Sequence, residues 1–139
     1  MAHTLTFSAI HEYDADEPGI TIPIRLSAGQ IVVDVQAKFD SGASYCIFQR
    51  QYAETLGLQL EMGVPQWIAT PTGSFLTYGH EATIWALGFE LPGVVYFAKD
   101  DFFTRDVLGR FGWLQQLKVG LVDYEGKLYV GKYGDEVLT

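Results

Sequence analysis

The chain has one cysteine in 139 residues, so no disulfide can staple it internally, and a lone thiol at Cys46 fits a reducing compartment. Positive charge is also scarce: nine Lys and Arg stand against seventeen Asp and Glu, a formal net charge of -8. Non-specific binding to a phosphate backbone depends on Lys and Arg displacing counterions, so this balance argues against a nucleic-acid partner. No run approaches the ~18 consecutive apolar residues of a membrane helix. Met1 to Glu12 lacks a basic segment followed by an apolar one. Neither export nor a membrane partner is therefore expected, and the expected location is cytoplasmic. His11-Glu12 has no second His four residues on, and the acidic cluster from Glu12 to Glu17 lacks the alternating ligands, the Gly and the final Glu of a calcium loop. No metal or cofactor is expected.

What remains is an ordinary globular composition, 48% hydrophobic with 15 glycines. A chain of this size buries a little under ~70% of its unfolded surface, enough for one core without staples. No repeat or linker interrupts it, so residues 1–139 read as a single domain, with 1–17 as an N-terminal extension.

Most of the chain alternates with the period of strands. Ile20, Ile22, Ile24 and Leu26 alternate with Thr21, Pro23 and Arg25, and the Pro belongs at an edge or an unpaired position. Ser27 to Gln30 turns the chain into a second strand, where Ile31, Val33, Val35, Ala37 and Phe39 face one side and Asp34, Gln36 and Lys38 the other. This hairpin delivers Asp40. Gly42 then allows a sharp turn, and Cys46, Ile47 and Phe48 return to apolar surroundings. A carboxylate held there either caps a turn or does chemistry.

Gln49 to Leu58 changes to a helical period closed by Gly57, and Gly112 to Leu117 is the other short helical candidate. Thr70, Pro71, Thr72, Gly73, Ser74 and Phe75 read as a hairpin tip from which a long strand, Phe75 to Leu87, leads away. Leu87 to Gly93 reads as a further turn, Val94 to Ala98 as a buried strand, and Gly120 to Val130 as a hairpin turned at Tyr124 to Lys127. The expected class is all-β, mainly antiparallel, with one or two short helices.

Rival chemistries find little support. Ser41 lacks the Gly-x-Ser-x-Gly elbow of a serine nucleophile, because Phe39 stands two residues before it. A Cys46–His80 thiol pair meets the objection that an apolar neighbourhood makes a thiol inert. Gly109-Arg110-Phe111-Gly112 imitates a nucleic-acid clamp in an acidic chain. Trp67, Trp85 and Trp113 read as core or interface anchors.

Asp40-Ser41-Gly42-Ala43 at a strand end, a Pro/Gly hairpin some thirty residues on, and Val107-Leu108-Gly109-Arg110 before a short helix occur in the order found in retropepsin-like aspartic peptidases, which the chain resembles over roughly residues 20 to 131. The resemblance implies a closed, barrel-like acid-protease fold and assigns roles. Asp40 would be the catalytic carboxylate, Ser41 a hydroxyl bracing the dyad, and Gly42 and Ala43 backbone contacts for substrate. Residues 70 to 75 would be the flap, and 107 to 110 a structural segment. Retroviral members often place an acidic residue after the Asp-Thr-Gly-Ala motif to bind the downstream Arg, whereas this chain has Ser44, so Arg110 needs another partner.

Amide hydrolysis needs a base to activate water and an acid to protonate the leaving nitrogen. Two adjacent carboxyls sharing one proton supply both. Like charges ~4 Å apart repel by ~4 kcal/mol at an effective dielectric of ~20, so one carboxyl stays protonated. Asp34, Asp100, Asp101, Asp106 and Asp123 all lack a following Ser/Thr-Gly, so the second carboxyl has to come from another copy. The expectation is a homodimeric aspartic endopeptidase acting on peptide or protein substrates, with apolar walls favouring apolar side chains beside the scissile bond. A non-catalytic dimerisation or peptide-binding module on the same fold is the alternative.

Overall fold

The computed structural model describes residues 1–135. After β1 (Ala9–Glu12), the chain forms the hairpin of β2 (Ile20–Ala28) and β3 (Ile31–Phe39), in register from Ile20 opposite Phe39 to Ala28 opposite Ile31. Alternation does here what the sequence requires of it. Ile22, Ile24, Leu26, Val35 and Ala37 are buried, while Arg25 and Asp34 pair on the outer face at 2.8 Å. The outward ends of β3 depart from the pattern, with Ile31 and Val32 about half exposed.

The short β4 (Ile47–Phe48) leads into α1 (Arg50–Thr55), which Gly57 closes in the left-handed conformation. The roof hairpin is β5 (Val64–Thr70) and β6 (Gly73–Ala86), the latter longer at its start than the expected strand from Phe75. β7 (Phe89–Ala98) runs back along β6. The expected turn over Leu87 to Gly93 is therefore confined to Leu87 and Gly88, both at positive φ, as a two-residue hairpin turn demands. Pro92 and Gly93 lie within β7, and Pro92 sits where the strand has only β6 beside it, because its other partner β4 begins opposite Tyr96. Leu87 is the one non-Gly residue at positive φ among the described residues, which is why the break was read too far along the chain.

β8 (Val107–Leu108) inserts between β3 and β4, parallel to β3, and β4 is parallel to β7. These two parallel pairings stand at the centre of an otherwise antiparallel sheet, ordered β2-β3-β8-β4-β7-β6-β5. A four-residue pairing of β2 with β6 brings the sheet back on itself, so the expected barrel closes only in part, through short strands and a short seam. The second helical candidate is a 3-10 turn at Leu114–Gln116. β9 (Leu117–Val122) and β10 (Lys127–Lys132) form the expected final hairpin, and β1 joins its far side as a third strand. Part of the segment read as an extension is thus built into a sheet.

Both sheets share one core, in which Leu128 and Val130 of β10 join Ile22, Leu26, Phe48, Leu91, Phe97 and a fully buried Trp113. A smaller cluster of Ile47, Phe75 and Ala98, flanked by Tyr45, Ile68, Tyr96 and Phe103, lies apart from it. No helix among the described residues is long and apolar enough to cross a membrane.

Candidate active site

The end of β3 is fixed from both sides of the chain. Phe39 packs against Trp113 with ring centroids 5.2 Å apart, while Lys38 N donates to Asp106 O at 2.8 Å and Asp40 N to Leu108 O at 3.0 Å. Beyond Asp40 the chain turns at once. Ala43 N donates to Asp40 O at 3.1 Å, and Gly42 N donates to the Asp40 carboxylate Oδ1 at 2.9 Å. Asp40 therefore caps its own turn, as one reading of the sequence required, and it also opens on a cleft. Gly42 is needed for closeness more than for a left-handed backbone, since its φ is not positive and a Cβ there would stand 3.2 Å from Asp40 Oδ1.

The segment after β8 holds this loop from behind. A Cβ on Gly109 would lie 2.7 Å from the Ala43 carbonyl oxygen and closer still to that of Tyr45, so only glycine fits. Arg110 N donates to Ala43 O at 2.9 Å and Phe111 N to Ser44 O at 2.8 Å. Cys46 is pinned in the same seam: its Sγ accepts from Gly109 N at 3.4 Å and donates to Phe111 O at 3.4 Å. Burial pushes the thiol up to about 12, against a smaller opposing pull from the Gly109 amide, which leaves it a poor nucleophile. His80 is engaged elsewhere, with Nε2 2.9 Å from Leu60 O. The exposed Arg110 finds its partner in an aromatic face, its guanidinium 5.6 Å from the centre of the Phe111 ring.

Asp106 is buried beside this seam and accepts from Gln49 twice, from the backbone N at 3.0 Å and from Nε2 at 2.8 Å. Burial raises its carboxyl above the usual range, and the Gln49 bonds oppose that rise. The floor loop, β8 and the start of α1 are thereby joined.

The cleft measures about 460 Å³. Its floor is Asp40, Gly42, Ala43, Ser44 and Tyr45, and its roof is Trp67 to Pro71 with Phe75. Ile47, Phe103 and Val107 form apolar wall, continuous with the smaller core cluster, and Phe75 stacks on Phe103 at 4.9 Å. Thr70, Pro71 and Phe75 thus line the same cleft as the Asp40 loop. Thr72, Gly73 and Ser74 project past the cleft, and Ser41 is exposed without lining it. Leu108, Gly109 and Arg110 lie behind the floor and hold it, and Val107 alone of that segment reaches the cleft.

Sequence reasoning missed Phe103 and Arg105. A signal was available, because Phe103, Arg105 and Val107 are spaced two apart, so an extended approach to β8 puts all three on one face. Among the described residues, Asp40 and Arg105 are the only charged ones lining the cleft.

No protein-family model matches the chain, and no curated protein matches it in sequence. Solved structures do match it in shape. A retropepsin-like aspartic protease from Rickettsia conorii superposes with a TM-score of 0.59 at 18% identity, covering 79% of this chain and 88% of that one. The EIAV protease, complexed with the inhibitor HBY-793, superposes with a TM-score of 0.55 at 17% identity, covering 70% and 86% respectively. The chain thus has the retropepsin-like aspartic-protease fold.

Proposed function

We propose that the protein is an aspartic endopeptidase in which Asp40 of two copies forms the catalytic pair. The observation that carries this reading is that, among the described residues, Asp40 is the only carboxylate lining a cleft whose roof is a β-hairpin. One carboxyl per copy cannot be acid and base together, so chemistry requires a second copy. In the pair, the ionised carboxyl takes a proton from water as its oxygen attacks the peptide carbonyl, and the protonated carboxyl hydrogen-bonds the carbonyl oxygen as charge develops there. Collapse of the tetrahedral intermediate then passes a proton to the leaving nitrogen.

The surroundings support peptide as substrate. The outer edge of β5 has no strand partner among the described residues, and an extended chain can pair with such an edge while side chains fill pockets beneath it. Ile47, Ile68, Phe75 and Val107 offer apolar contact.

The test is cleavage of an extended peptide by wild type and by Asp40→Asn, with circular dichroism on both. Asn is nearly isosteric and can still accept from Gly42 N, so the variant is expected to fold as wild type does and to lose turnover altogether. Specific activity is expected to fall on dilution through the dimer dissociation constant, and excess Asp40→Asn chain should poison wild type. A wild-type dimer that binds extended peptides and never cuts them would establish the non-catalytic module instead.

A further inference from the structure

A second cavity, of about 520 Å³, lies on the other side of the Asp40 turn, between the approach to β2 and the approach to β8. Among the described residues, two line both it and the main cleft: Asp40 and Arg105. A chain laid across Asp40 therefore passes Arg105. No hydrogen bond or ion pair occupies the Arg105 guanidinium among the described residues. The neighbouring charges are committed elsewhere. Asp106, next in sequence, turns its carboxylate to Gln49, and Lys38 Nζ donates to the Pro18 carbonyl at 3.2 Å. In a largely apolar cleft of an acidic protein, one exposed cation with no partner among the described residues lines the same two cavities as Asp40.

Resting on the reading of Asp40 as catalytic, we propose that Arg105 is a specificity residue that receives a carboxylate of the substrate within a residue or two of the scissile bond. The guanidinium is a planar fork suited to two parallel bonds to a carboxylate, and such charge-assisted bonds are the stronger kind. With two copies, one Arg105 stands on each side of the bond to be cut, so an acidic residue can be read on either flank while the apolar wall takes its neighbour. This adds a charge to the apolar selection expected from the cleft walls.

The experiment takes a peptide that wild type cuts and remakes it with Glu, Gln or Lys at each position flanking the cut, with the C-terminus free or amidated. Wild type is expected to prefer Glu over Gln by about tenfold in kcat/KM, the scale of one charge-assisted hydrogen bond. In Arg105→Gln that ratio should fall to near one, and in Arg105→Glu the preference should pass to Lys. A preference that follows the free C-terminus instead of the side chain would identify the carboxylate read as the terminal one. A wild-type ratio of one, or a ratio unchanged in Arg105→Gln, overturns the proposal. The same peptides, labelled, are measured for binding to Asp40→Asn by anisotropy. Arg105-dependent binding of acidic peptides with no turnover in wild type would leave the specificity assignment standing while the peptidase reading fails. Turnover without charge preference would do the reverse.

Discussion

The floor of the cleft and its roof are built on opposite principles. On the floor, the turn from Asp40 to Tyr45 is tied to β8 and the chain after it by backbone bonds at Asp40, Ala43 and Ser44, with Gly109 packed against its carbonyls and Cys46 locked behind it. On the roof, β5 pairs with β6 alone among the described strands, Trp67 is 62% exposed, and a Cβ on Gly73 would meet nothing within 4 Å. One side is bonded to the chain behind it, and the other is bonded along a single strand edge. A cleft for a polymeric substrate needs both, because the reacting group has to be preorganised while the chain still has to enter.

The comparison breaks most severely at the floor. Gly109→Ala puts a methyl into two backbone carbonyls that cannot rotate aside, so it is expected to cost about 3 kcal/mol of unfolding free energy and to lower activity in whatever fraction remains folded. Urea unfolding with tryptophan fluorescence measures it. A loss under about 1 kcal/mol would mean that the floor yields as readily as the roof.

Gly73→Val tests the roof. Its φ of +149° is one that side chains rarely adopt, so valine brings local strain of about 1–3 kcal/mol. Because a Cβ on Gly73 meets nothing within 4 Å, the tip has room to rearrange and shed that strain. Global stability is therefore expected to change by less than about 1 kcal/mol while kcat/KM falls several-fold. Equal losses in stability and rate would make the hairpin a structural element like the floor.

The same contrast explains what could be read from the amino acids alone. Segments governed by local rules were legible: the alternation of β2 and β3, the Asp40 turn at the strand end, the Gly57 helix stop, and the Thr70 to Phe75 hairpin. Elements made by distant partners were not. Two-residue strands such as β4 and β8 carry no periodicity, and their parallel pairings, Lys38 opposite Val107 and Ile47 opposite Tyr96, exist only because the chain returns to them after a long excursion. Arg105 escaped for a related reason, since an exposed Arg in a loop looks like any solvated charge until β8 sets the face on which it lies. Leu87 was hidden because its positive φ is imposed by the β6–β7 register and runs against its own preference.

The smallest effect expected is electrostatic and belongs to the floor. Asp106 joins the approach to β8 to the start of α1, and burial raises its carboxyl while the Gln49 bonds pull it back. Since the folded value lies above the unfolded one, the folded state holds this proton longer. Below the unfolded value of ~3.9 the group is protonated in both states and carries no penalty. As pH rises through the window between the two values, the unfolded chain ionises freely while the folded chain has to ionise a buried group, so stability is lost with rising pH and the loss is complete above the folded value. Asp106→Asn removes that titration. Its side-chain oxygen can still accept from Gln49 N, and the Gln49 amide can turn its oxygen toward the new Asn nitrogen, so the joint itself should survive. Unfolding free energies of the two proteins, measured by urea at steps from pH ~3.5 to ~7, are expected to diverge in favour of Asp106→Asn and then run parallel. Curves that diverge the other way would mean that the Gln49 bonds outweigh burial, and that the floor is held by the charged form of Asp106.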